Sequence, residues 1–428
     1  MRTWVRGAGI ALALLLGFSR LPASGQQETV NLQFTLARGE ALFYADSGEF
    51  DAIVELPNER QRTQIRSEAR LAVRVLDVDS SGIMLVESVS EDLRLVAGGE
   101  TEEPVDEPML VKVRRDGRIV ERVANAEGVE DFPYALPGRA VRVGEAWTRQ
   151  GAISQAGFTS QGATTLTLQS IERVGTERVA RVRYRTEGTM VPGRPPQPGT
   201  QVRLTGTMRV EGEFQWSVER GRPLRASSQM SIDVDSEVTA QGQTSRARAM
   251  VRATSRQEPI AAPGASQVPA DQLIVPGRMV GAISFEMPIS EVNTRLGSPE
   301  SLPDGVGFRA RGLAWSNGMV GYVDPANPAR LVGLDVSLRR HRTDRGIAFG
   351  SSEGAVLFAY GAPPVRLDMM IPQTGGVRIL IYNDLGIAFA VTSDAAHANL
   401  GPEHAPVGAV DWITIFPPGG AARIFPIP

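Results

Sequence analysis

From about Gln26 to Thr254 the chain alternates apolar and polar residues, and turn residues break the alternation at short intervals. Successive side chains of an extended strand point to opposite faces. A two-residue period over so long a stretch therefore commits the region to β-sheet with one face buried. Leu71, Val73 and Val75 alternate with Arg74 and its neighbours, and the turn Asp77 to Gly82 leads into Ile83 to Val89. Met109 to Val113 and Arg118 to Val123 flank Arg115-Asp116-Gly117, whose Asp-Gly pair tolerates the positive φ of a tight turn. Thr164 to Ile171 pairs by the same logic with Arg178 to Arg185 about Val174-Gly175. Glu211 to Val218 pairs with Leu224 to Val234 across Arg220-Gly221. Four such hairpins predict a sheet of long antiparallel strands. The inward side chains either fill a core or enclose a lipid-sized cavity, and alternation is the same for both.

The C-terminal third follows a different rule. Ile283, Phe285, Val292, Gly297 and Pro299 recur sixty-four positions later as Ile347, Phe349, Val356, Gly361 and Pro363. Leu313, Trp315 and Tyr322 line up with Leu380, Tyr382 and Phe389, and Val332-Gly333 with Val407-Gly408. Self-similarity at a fixed spacing marks a duplicated structural unit. Each copy predicts a short strand (282–285 and 346–349), a helix (290–296 and 352–360) and two or three further strands. Ser351 or Ser352 is placed to cap the second helix, and Gly361 to end it. Aromatic residues at matching positions, Trp315 and Tyr322 in one copy and Tyr382, Phe389 and Trp412 in the other, are expected to pack each helix on its sheet. They are also the candidate partner-binding residues, since aromatics anchor interfaces.

Composition bounds the setting. At 428 residues the chain suggests two or three domains, and its formal net charge is −3. Lys112 is the only lysine, and the arginines are spread among acids without a basic block, so nucleic-acid binding gets no support. Arg2 and Arg6, the apolar run Ile10 to Leu16 and the small residues Ala23-Ser24-Gly25 read as a secretory signal over residues 1–25. The run is too short to span a bilayer comfortably, a retained N-terminal anchor being the competing reading, and no later stretch reaches membrane length. The expected mature protein is periplasmic or secreted, with no integral membrane span after signal cleavage. With no cysteine, lipid anchoring through a thioether, disulfides, thiolate metal sites and cysteine nucleophiles are excluded.

Between Asp131 and Pro137 a proline-bounded loop interrupts the strands, and Val141-Arg142-Val143-Gly144-Glu145-Ala146-Trp147 restores them. Leu136, Pro137, Val141, Val143, Gly144, Glu145 and Trp147 resemble a marker of exported β-rich proteins, which implies a curved antiparallel sheet like that of LolA-type lipoprotein carriers. In the C-terminal third, Val292, Leu296, Gly297 and Pro299, with Val356, Tyr360, Gly361 and Pro363, resemble the helix motif of SmpA/BamE-type envelope domains. Tandem copies of that unit also build the secreted β-lactamase inhibitor proteins. The lipidated cysteine of the first family and the disulfides of the second are absent here, and the spacing to the aromatic strand differs. Both resemblances imply protein binding rather than chemistry.

Chemistry has few candidates. His341, His397 and His404 are the only histidines. His397, Glu403 and His404 straddle Gly401-Pro402, so no helical face presents them together as metal ligands. No nucleophile elbow, phosphate loop, dinucleotide fingerprint or zincin motif occurs. Glu100, Glu102, Glu103, Asp106 and Glu107 lack calcium-loop spacing. No catalytic residue, metal ligand or cofactor is assigned.

The expected fold is α+β, mostly β: a curved antiparallel sheet or half-barrel over 26–256, a linker over 257–275, and two tandem α+β repeats over 276–344 and 345–428. The expected function is that of an exported, non-enzymatic cell-envelope protein that binds an envelope or secreted protein, or a lipid-like apolar ligand. The alternative is a hydrolase acting on cell-wall or extracellular polymer, and two acids, or a histidine and an acid, converging in one pocket would favour it.

Overall fold

A computed structural model describes residues 28–104, 106–124, 134–155, 158–192, 200–240, 243–262, 268–285, 287–302, 310–324, 326–338, 340–371, 375–394 and 404–427. The expected signal segment, most of the proline-rich stretch 192–199, His397 and Glu403 lie outside the described residues.

The N-terminal strands are β1 (Thr29–Asn31), β2 (Ala41–Leu56), β3 (Glu59–Val78), β4 (Met84–Ala97), β5 (Glu100–Glu102), β6 (Met109–Val113) and β7 (Ile119–Ala124). They continue with β8 (Ala140–Arg142), β9 (Ala146–Gln155), β10 (Phe158–Val174), β11 (Glu177–Pro192), β12 (Thr200–Ser217), β13 (Arg222–Ala240) and β14 (Gln243–Pro259). Twelve form one antiparallel sheet in the order β7-β6-β4-β3-β2-β14-β13-β12-β11-β10-β9, with β5 beside β4, while β1 pairs with β8. Each of the four hairpins anticipated from turn residues forms. β14 runs to Pro259, so the first residues of the anticipated linker are strand.

Alternation decides which face is buried. On β12, Phe214 and Trp216 are buried while Arg209 and Glu213 are exposed. Leu42, Val73, Val86 and Val111 share one core cluster with Leu166, Val182, Phe214 and Trp216. The sheet therefore curls until strands distant in its order meet, and glycines permit the bend. Gly162 and Gly188 face each other across β10 and β11, and a Cβ on either would collide with the neighbouring strand. The curl is filled, not hollow, at this end. Phe34 meets Trp216 edge-on at 4.8 Å, Tyr134 stacks on Phe214 at 4.2 Å, and Trp147 donates from Nε1 to the Ala135 carbonyl at 2.9 Å. The proline-bounded loop before β8 thus delivers Ala135 and Leu136 into the core. Toward the far ends of the strands a smaller cluster, Met190, Met208 and Val234, lies on the same face.

The C-terminal elements are β15 (Leu273–Val275), β16 (Met279–Val280), β17 (Ile283–Ser284), α1 (Ile289–Leu296), β18 (Glu300–Ser301), β19 (Arg311–Ala314), β20 (Met319–Asp324) and β21 (Asn327–Val336). After them come β22 (Arg342–Thr343), α2 (Glu353–Tyr360), β23 (Val365–Ile371), β24 (Gly375–Tyr382), β25 (Ile387–Thr392) and β26 (Val410–Ile415). Eight of these strands make one sheet in the order β18-β19-β20-β21-β26-β25-β24-β23. Two four-stranded halves meet at β21 and β26 through three pairs, Leu334 with Ile415, Asp335 with Thr414 and Val336 with Ile413. Against expectation, 346–349 is no strand: Ala348 makes a single bridge to Arg342. Both helices lie over one face of the sheet, where Val292 and Val356 join a common core. The chain's last segment covers the other face with Phe416, Ala421, Ile424 and Phe425.

Candidate functional site

The aromatic residues singled out from the sequence are structural. Trp315, Tyr322, Tyr382 and Phe389 are buried and Trp412 is half-buried. Trp315 donates from Nε1 to the Gly297 carbonyl at 3.1 Å, and Tyr382 from its hydroxyl to the Gly361 carbonyl at 2.6 Å. Each satisfies an orphan carbonyl where a helix ends. Burial takes Trp315, Tyr322, Tyr382 and Phe389 off the exposed surface, and Trp412 keeps part of its side chain there. His404 Nδ1 lies 3.3 Å from Asp411 Oδ2 and His341 is buried alone, its pKa lowered first by burial and then by Arg340. Among the described residues no three His, Cys, Asp or Glu side chains gather to hold a metal ion.

A different constellation lies where the C-terminal region meets the outer face of β3 and β4. Arg74 and Glu87, opposite each other in register, are only 4% and 3% exposed. Arg74 reaches Glu87 Oε1 at 3.1 Å with one nitrogen and pairs with Glu91 through the other, while its guanidinium lies 5.7 Å from the Phe43 ring centre. Arg70 holds Glu91 at 2.7 Å and Asp92 at 2.9 Å, and Arg342, arriving on β22, closes the chain of ion pairs onto Asp92. Burial pushes the Glu87 carboxyl up, while Arg74 and the Ser352 hydroxyl pull it back. Burial acts on Glu91 in the same sense, but Arg74 and Arg70 outweigh it and hold that carboxyl below the usual range. Burial, then the neighbouring Arg70, brings Arg342 down to about 10.

Two local features make this arrangement possible. Between Glu68 and Arg70 of β3 the register slips by one, with the extra residue on β4, and Asp92 in that bulge is the one non-glycine residue with positive φ among those described, at 54°. That conformation costs about 1–2 kcal/mol in an ordinary residue, and it aims the carboxylate between two arginines. At the start of α2, Gly354 has no side chain, and a Cβ would strike the Glu87 carboxylate. Ser352 caps the helix by accepting from the Ala355 amide at 2.9 Å.

Beside the network opens a cleft of about 900 Å³ with walls from both regions. Asp46, Ser47, Glu68, Leu93, Arg94 and Asp106 line one side, and Pro269, Gln272, Arg340, Arg342 and Phe349 the other. Most of its acids are committed: Glu91 and Asp92 to arginines, and Asp106 to the Ser90 amide at 2.9 Å. Burial pushes the Asp46 carboxyl up, and its Oδ1 is sealed from solvent. Arg340 and Gln272 have no side-chain partner among the described residues. A second depression, about 1090 Å³, lies along the large sheet near Gly48 and Gly212 and is also lined by charged and small polar residues, among them Arg183, Glu211 and Ser228.

None of Arg70, Arg74, Glu87, Glu91, Asp92 or Arg342 was distinguishable beforehand. On β3, Arg74 occupies the outward phase of the alternation, where a solvated side chain is the ordinary expectation. Its burial comes from a neighbour more than two hundred residues away in sequence.

No family model matches the sequence, and no curated protein matches it. Among solved structures the chain is similar to a mutant porin of Rh. blastica, at 6% identity and a TM-score of 0.16, over 50% of this chain and 100% of that one. It is similar to the outer membrane protein OprG from Pseudomonas aeruginosa at 8% identity and a TM-score of 0.15, over 52% and 97% of the two chains. For Pseudomonas aeruginosa OccK2 in complex with glucuronate the figures are 9%, 0.13, 54% and 99%. Likeness at these TM-scores carries no argument about fold or function. Among the described residues no helix is long and apolar enough to cross a membrane.

Proposed function

We propose that this chain is an exported, non-enzymatic binding protein of the cell envelope, and that it grips a protein partner in the cleft between its large sheet and its C-terminal region. The observation that carries the reading is the cleft: about 900 Å³, walled by both regions, with Arg340 and Gln272 free of side-chain partners among the described residues and set beside apolar Leu93, Pro269 and Phe349. Such a mixture suits a peptide segment, which offers carbonyls, amides and side chains together. An apolar cargo finds less here, because the curled sheet is filled at one end by Phe34, Leu136 and Trp216 and the clefts described are lined by polar and apolar groups alike.

The test is capture from an envelope extract by the mature chain, with Arg340→Glu as the comparison. Arg340 is exposed and supports no described contact, so the variant should fold. A partner lost with Arg340→Glu supports the cleft, and a partner retained at full affinity removes it. Lipid detected by native mass spectrometry of the wild type would favour the apolar-ligand version instead.

A hydrolase is the second reading, favoured by one observation: Asp46 and Glu68 line this same cleft, and Asp46 titrates above its usual range because of burial. Turnover of a cell-wall polymer abolished by both Asp46→Asn and Glu68→Gln would establish it. The sealed Oδ1 of Asp46 weighs against it, since an acid must reach its substrate.

A further inference from the structure

The segment 416–427 is attached at one end and packed at the other. Its base is held by backbone bonds, Phe416 N to Gly386 O at 3.0 Å and Gly419 N to Asn383 O at 2.9 Å, and by Asn383 Oδ1, which accepts from the Ala421 amide at 3.1 Å. Beyond that point the amides of Arg423, Ile424 and Phe425 turn back on Gly420 and Ala421. The far end is seated by side chains. Ile424 sits against Gly333, where a Cβ would collide with it, and Phe425 meets Phe416 edge-on at 6.0 Å. The seat draws on both halves of the eight-stranded sheet: Tyr322 and Val332 from one, and Ile379, Ile381 and Ala388 from the other. Those halves share only three backbone pairs of their own.

Asp335 occupies the middle of those three pairs, opposite Thr414. It is two residues beyond Gly333 on the same strand. The Tyr322 hydroxyl donates to its Oδ2 at 2.5 Å, and Oδ1 is buried without a hydrogen bond. Among the described residues, the groups that act on it are the Tyr322 phenol from β20 and the Thr414 hydroxyl from β26. The overlying segment offers no cation there, because Arg423, its one charged residue, is exposed. A carboxylate with no cation in an apolar seam opposes the packing above it, and a neutral carboxyl does not.

We propose that residues 416–427 form a strap across the two halves of the sheet, seated when Asp335 is neutral and loosened when it is charged. Burial, partly offset by the Thr414 and Tyr322 hydroxyls, supports this by bringing the carboxyl from 3.8 up to about 7. The sign follows from linkage: the seated state binds the proton more tightly, so seating is favoured in acid and weakens as pH rises from about 4 to about 7. An exported protein meets the pH of its surroundings, which gives such a strap an input.

Hydrogen exchange of the amides of 421–427 in the full mature chain tests it, at pH 5 and pH 8 with the intrinsic chemical rate divided out. If the lifted strap returns Asp335 to its ordinary titration, protection should fall by about a hundredfold between the two. Asp335→Asn should hold the strap down at both. Tyr322→Phe removes a donor that favours the carboxylate, so it should move the loss of protection to higher pH. Circular dichroism at both pH values should show the sheets intact. Equal protection at pH 5 and 8 in the wild type would overturn the strap. So would an undiminished pH dependence in Asp335→Asn, or strap and sheets lost together. Should Asp335→Asn fail to fold, an unmoved transition in Tyr322→Phe is decisive against it.

Discussion

The two halves of the eight-stranded sheet carry the same helix ending and different helix beginnings. At the ends, Gly297 and Gly361 both take positive φ, at 93° and 79°, and each carbonyl receives an aromatic donor, Trp315 in one half and Tyr382 in the other. At the beginnings they part. α1 follows Pro288 with no side-chain cap and shows Glu291 and Arg295 to solvent, joined at 2.8 Å. α2 is capped by Ser352 and presses Gly354 onto buried Glu87 of the large sheet. The matched features hold a helix on its own sheet. The unmatched ones on α2 dock its half onto the large sheet.

The sharpest way to break that asymmetry is Arg74→Ala, which leaves Glu87 buried without its cation and Glu91 with Arg70 alone. We expect a loss of about 3–5 kcal/mol, read by urea unfolding, because removing one partner strands the other. α1 has no corresponding site. A loss under about 1 kcal/mol would mean that the network does not join the two regions.

Asp335 sits on the line between the halves and should give the next largest effect, one that depends on pH. Its folded pKa is raised, so the fold favours the protonated form. Stability from this group is complete below about pH 4, declines as pH rises toward 7 and is level above. Asp335→Asn should therefore stabilise the chain by about 2–4 kcal/mol at pH 8 and by little at pH 4, measured by thermal or urea unfolding at each pH. Equal effects at both would contradict the titration.

Smaller changes sharpen the comparison. Ser352→Ala should cost about 1 kcal/mol, the usual worth of a serine cap, whereas Pro288→Ala at the equivalent start of α1 should stay within about 0.5 kcal/mol. Trp315→Phe and Tyr382→Phe each remove one hydrogen bond to a helix-end carbonyl. Each should lose about 1 kcal/mol, and by similar amounts if the two contacts are equivalent. Glu291→Ala, which breaks an exposed ion pair one turn apart, should change stability by less than about 0.5 kcal/mol. An effect comparable to Arg74→Ala there would erase the distinction between the helices.

Much of this fold is legible residue by residue. Asp116-Gly117 and Gly175 announce their hairpins because few residues accept the positive φ of the turn, and Ser352 and Gly361 bracket α2 for the equivalent reasons at a helix's two ends. The site is less legible. Trp315, Tyr322, Tyr382 and Phe389 read first as packing residues and second as an interface, and the structure places them in the core. Asp92 gives no local sign of its left-handed backbone, because the bulge that imposes it arises from pairing with β3.

The long strands and their turns are written in the local sequence, because they follow from φ restrictions and from a side-chain period set within a few residues. Which outward-facing charges stay wet is settled by packing alone. Arg74 and Arg66 share one face of the same strand, yet one is buried under α2 and the other exposed. Burial is a property of what packs from elsewhere in the chain, and no local pattern encodes it.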